Sequence, residues 1–70
     1  MGTDERTKLR LLLDHWVEHN REHSQEFSEW AEKAKVLGEN GVGENMLQAA
    51  QEMDKASELL SQARRRLGEE

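Results

Sequence analysis

Apolar or otherwise distinctive residues recur at positions 9, 13, 16, 20, 23, 27, 30, 34 and 37, in alternating steps of four and three. Such spacing keeps one stripe of an α-helix turned toward one neighbour. The pattern stops at Gly38-Glu-Asn-Gly-Val-Gly43 and resumes with Met46, Ala49, Met53, Ala56, Leu60, Ala63 and Leu67. Glycines at the break supply a helix stop and a flexible turn. The expected fold is all-α: one domain over residues 1–70, an antiparallel two-helix hairpin with a helix over about 4–37, a turn at 38–43 and a helix over about 44–67. Thr3 reads as an N-cap, with Asp4 and Glu5 placed where negative charge suits the helix dipole.

The two helices are unequal. At about 1.5 Å per residue the first spans roughly 50 Å and the second roughly 36 Å. Folding about a turn at 38–43 puts Ala34 near Ala49, Trp30 near Met53, Phe27 near Ala56 and His23 near Leu60. The start of the first helix, with Leu9, Leu11, Leu12 and Leu13, is then left without a partner. A row of leucines in water is unfavourable. The expected remedy is a homodimer, two hairpins forming a four-helix bundle; a tetramer or a different protein partner is the alternative.

Size points the same way. A chain of 70 residues buries only about 60% of its unfolded surface and needs disulfides, metal or association to be secure. Cysteine is absent, which removes the first. No apolar run approaches the roughly 20 residues of a membrane span, and MGTDERTKLR lacks the apolar stretch of a signal peptide. The sequence therefore reads as a cytoplasmic protein without a membrane role. The net charge of −5 argues against duplex nucleic acid, whose ligands neutralise phosphates with clustered Lys and Arg. The one basic cluster, Arg64-Arg65-Arg66, suits the last turn of a helix.

Three histidines, His15, His19 and His23, stand four residues apart on the first helix, flanked by Glu22 and Glu26. Residues at i and i+4 are neighbours on a helical surface. His15 with His19, or His19 with His23, could therefore reach one ion, whereas the outer pair is about 12 Å apart along the axis. Remaining ligands could come from Glu22, Glu26, a facing carboxylate such as Glu58, or a second copy. A nitrogen and oxygen donor set without sulfur suits zinc, nickel or cobalt, with copper and iron also possible. The competing reading is structural: His23 and Asn20 fall near the apolar centre and could form a polar layer that fixes register.

Enzymatic signatures are weak. His15-Trp-Val-Glu-His19 and His19-Asn-Arg-Glu-His23 both satisfy H-x-x-E-H, but a third ligand is not evident and the chain is too short to frame a protease cleft. There is no nucleophile elbow and no phosphate loop. Trp16, Phe27 and Trp30, with Met46 and Met53 across the turn, read as core filling. The stretch LRLLLDHWVEHNREHSQEFSEWAEKA, residues 9–34, resembles a His-containing helical segment of small uncharacterised prokaryotic proteins, in which H-W-x-E-H-N-x-E-H precedes F-x-x-W-A. That resemblance implies a link to transition-metal handling through His15, His19 and His23, and supplies no reaction. The expected function is a small non-enzymatic binding or accessory module holding a divalent metal; the alternative is a structural or protein-interaction dimerisation module.

Overall fold

The computed structural model describes residues 2–68, with side chains described from residue 5 onward. Two helices, α1 (Gly2–Val36) and α2 (Asn40–Leu67), pack along their length as an antiparallel hairpin measuring 54 × 14 × 13 Å over its Cα atoms. No strand occurs among the described residues. No described helix is long and apolar enough to cross a membrane.

Gly38 ends α1 as its position in the sequence implies. It takes φ +90°, a conformation that costs a side chain about 1 kcal/mol or more. Two backbone bonds complete the stop: Gly38 N–H donates to Lys35 O at 2.9 Å and Glu39 N–H to Ala34 O at 2.8 Å. This is a Schellman closure, and it satisfies carbonyls that the helix end would otherwise leave open. The connection is only Leu37–Glu39, because α2 begins at Asn40 rather than near residue 44. Thr3 likewise lies inside the first turn of α1, not at its cap.

Gly41 and Gly43 are thus helical, and Gly43 has a different purpose from the turn chemistry expected of it. A Cβ on Gly43 would stand 2.9 Å from the Ala31 carbonyl oxygen and 2.8 Å from Lys35 Cγ. The glycine lets the two backbones approach. Along α2 the buried residues are Gly43, Ala50 and Ser57, seven apart; opposite them on α1 lie Ser24, Ala31 and Ala34, also buried. Larger buried residues, Leu13, Val17 and Arg10, appear only toward the open end. On α1, then, the buried side chains become smaller toward the turn.

The shorter connection changes the register. The Ser24 hydroxyl donates to Asp54 Oδ1 at 2.7 Å and stands 3.3 Å from Ala50 O, while Arg64 Nε donates to Asp14 Oδ1 at 3.0 Å. The expected pairings of Ala34 with Ala49, Trp30 with Met53, Phe27 with Ala56 and His23 with Leu60 are therefore displaced by five to nine residues. Helix α2 reaches further along α1 than expected. Leu13, expected to lack a partner, is 5% exposed.

The seam is also divided. Of its positions on α1, residues 13 and 34 are buried and 20 and 27 half-buried, whereas Leu9, Trp16, Trp30 and Leu37 stay exposed and His23 is half-buried. Contact with α2 runs instead through 10, 13, 17, 24, 31 and 34. The physical reason is close approach: small side chains allow a shorter interhelical distance, and the tryptophans cannot fit in that gap. No large side chain is fully buried among the described residues.

Candidate metal centre

The histidines occupy the middle of α1, where the helix is regular, so their positions follow from 100° per residue. Taking Leu13 as the direction of α2, His23 lies about 80° to one side, His19 about 120° and His15 about 160°. His23 is accordingly at the edge of the contact, with 38% of its side chain exposed. It is not the core residue expected, because the true contact line passes through Ser24. Asn20 is half-buried.

The structure distinguishes the two possible pairs. His19 Nε2 and His23 Nε2 stand 2.9 Å apart, and their rings meet edge to face at 4.3 Å between centroids. His15 only stacks on His19, with centroids 5.6 Å apart and planes at 19°. On the far side, the His23 ring stacks on Phe27 at 5.9 Å. The Nε2 to Nε2 contact requires that one imidazole donate and the other accept. Two nitrogens bound at about 2.0–2.1 Å to one ion are separated by roughly 2.9 Å at a right angle and 3.4 Å at a tetrahedral angle, so this pair is close to a chelating spacing and would open by about 0.5 Å around a tetrahedral ion.

Glu26 is brought to the pair from behind. Its Oε1 lies 3.4 Å from His23 Nδ1, within ion-pair range though long for a hydrogen bond. A carboxylate facing Nδ1 favours the tautomer whose Nε2 is free to accept a proton or bind a metal, the arrangement common behind metal-bound histidines. Glu26 therefore supports the pair and does not sit beside both Nε2 atoms. Glu22 lies on the opposite side of α1 from Leu13, turned to solvent. Glu58, counted in the same way from Ala50, falls on the flank of α2 away from the histidines. Among the described residues no group of three or more His, Cys, Asp or Glu side chains is close enough to hold one ion.

What the sequence pattern left unassigned is the surface around the pair. Leu12 and Trp30 lie within about 20° of His19 and His23 on the α1 cylinder, and both are exposed. Lys33 Nζ stands 4.2 Å from the Trp30 ring centre, so its stem lies along the indole. Trp30, Lys33, Val36 and Leu37 line a shallow apolar depression. On α2 the corresponding flank carries Val42, Met46, Met53 and Leu60. Since the helices are antiparallel, the two flanks open on the same side of the hairpin.

The chain is 36% identical over 56 residues to an uncharacterised protein of Archaeoglobus fulgidus, covering 80% of this chain and 89% of that protein. No solved structure matches. The family described as "Domain of unknown function (DUF8180)" matches residues 9–67, from the leucine-rich start of α1 to the last residue of α2. With nearly the whole hairpin inside that match, the chain belongs to the DUF8180 family.

Proposed function

We propose that this protein is a non-enzymatic, cytoplasmic accessory module that binds a divalent transition metal through His19 and His23 and works as a homodimer in a four-helix bundle. The observation carrying the metal reading is the 2.9 Å separation of the two Nε2 atoms on an accessible flank, with Glu26 placed to fix the tautomer of His23. Zinc, nickel and cobalt all suit imidazole donors. His15 acts as a stacked neighbour of His19 and Glu22 as a solvated charge. The dimer reading is supported by the exposed Leu9, Leu12, Trp16 and Trp30, which leave the apolar flank of α1 open to water. On the structural reading, the same histidines serve only as a polar layer between the helices of a dimer.

Titration separates these readings. Chelator-treated protein lacking a His-tag, mixed with zinc, nickel or cobalt at pH 7.5, should gain thermal stability with at least one of them. Binding only to the folded state adds about 2.7 kcal/mol at a hundredfold excess over Kd. His19→Ala should abolish the shift, His23→Ala should nearly do so, and His15→Ala should keep most of it. The shift should also shrink in acid, since protons compete for the imidazoles. No shift with any of the three ions would leave the structural reading in place.

A further inference from the structure

We infer that the metal centre is shared between two copies of this chain: His19 and His23 from each helix α1 meet at a two-fold axis and supply four nitrogens to one ion. The inference rests on the metal reading above and adds where the missing ligands come from. One chain brings together only two imidazole nitrogens, and no third His, Cys, Asp or Glu completes the set among the described residues. A tetrahedral zinc or cobalt site needs four donors.

The arrangement of exposed apolar residues locates the axis. Residue 21 is the midpoint of His19 and His23, and it is equally the midpoint of Leu12 and Trp30. All four lie within about 40° of arc on one flank of α1. When two α1 helices cross antiparallel about the level of residue 21, Leu12 of each copy falls against Trp30 of the other, about 13 Å along the axis on either side of the histidines. This register sets exposed Leu12 against exposed Trp30 while bringing the two histidine pairs to the same level.

The broad side has the outline of an interface of ordinary size. The hairpin's broad side, 54 Å by 14 Å over Cα atoms, outlines about 750 Å², close to the roughly 800 Å² that each partner buries in a standard stable interface. The α2 flank carrying Val42, Met46, Met53 and Leu60 opens on this same side and would pack against its own copy. A second copy is thus the occupant that both the leucine-to-tryptophan match and the half-complete donor set require. The hairpins pack face to face, with the ion at the outer edge of the α1 seam.

Stoichiometry tests it. Zinc added to chelator-treated protein, with bound metal measured after gel filtration and mass by sedimentation equilibrium, should saturate at one ion per two chains. It should also tighten the dimer by about tenfold or more, because coupling between metal and partner is reciprocal. Cobalt should give the visible absorption of a tetrahedral centre. His19→Ala, at an exposed position and checked by circular dichroism for retained helix, should lose both the metal and its effect on association, whereas His15→Ala should keep both. One ion per chain with association unchanged would overturn the shared site and leave the His19–His23 metal reading intact. No bound ion at all would overturn both.

Discussion

Two adjacent faces of α1 have opposite compositions. The face toward α2 is made of Ser24, Ala31 and Ala34, with Leu13 and Val17 near the open end, and Ala31 is 0% exposed. The next face round carries Leu9, Leu12, Trp16 and Trp30, and Trp30 is 56% exposed. The intrachain contact depends on shape, through backbones held close by Gly43, Ala50 and Ser57. The outer face depends on area. A chain that used its largest apolar residues to hold itself together would place them between its helices; here they are kept for the outside, in the band that also holds His19 and His23.

The largest effect is expected from charging the outer face alone. Leu12→Glu with Trp30→Glu should leave the α1–α2 contact residues untouched yet abolish association, since burying each side chain contributes about 1.5–3 kcal/mol. The expected product, read by sedimentation and circular dichroism, is a helical monomer with a lowered melting temperature. A double variant that remains dimeric would show that this face is not the interface.

A smaller effect of opposite sign separates the two glycines of α2. Gly43→Ala forces a methyl against the Ala31 carbonyl and should cost about 1–3 kcal/mol. Gly41→Ala meets nothing within 4 Å and should stabilise by about 0.5–1 kcal/mol through helix propensity. Urea unfolding of the two variants checks this. Equal effects would mean that close packing near the turn is unimportant.

The smallest effect belongs to the open end. There Arg64 donates to Asp14 through Nε and to Gly68 O through Nη1 at 2.9 Å. Asp14→Ala should cost no more than about 1 kcal/mol, as the Asp14 carboxylate is half-exposed and screened by solvent. A larger loss in urea unfolding would move weight from the small-residue seam to this ion pair.

The hairpin was legible in the sequence because Gly38 ends one periodic segment and another follows, a signal set by local physics. The depth of the seam was not. Treating Trp16, His23 and Trp30 as core follows from hydrophobicity, which grades residues by area, whereas the contact selects for small size. The spacing of Gly43, Ala50 and Ser57 carried that information, but glycine and serine count as turn formers in isolation. Misplacing the start of α2 by four residues then shifted every cross-helix pairing. For the candidate site, the i, i+4 rule brought His19 and His23 together correctly on helical geometry alone. It does not set the ring rotations that bring the His19 and His23 Nε2 atoms within 2.9 Å, with Phe27 and Glu26 beside the His23 ring.

If the outer apolar face receives a second copy, sedimentation equilibrium of the unaltered chain at micromolar concentration will show it. One chain weighs 8.1 kDa. The expected mass is about twice that, rising toward the full dimer value when zinc is supplied. A compact, stably folded species of 8.1 kDa at all concentrations, with and without zinc, would contradict it.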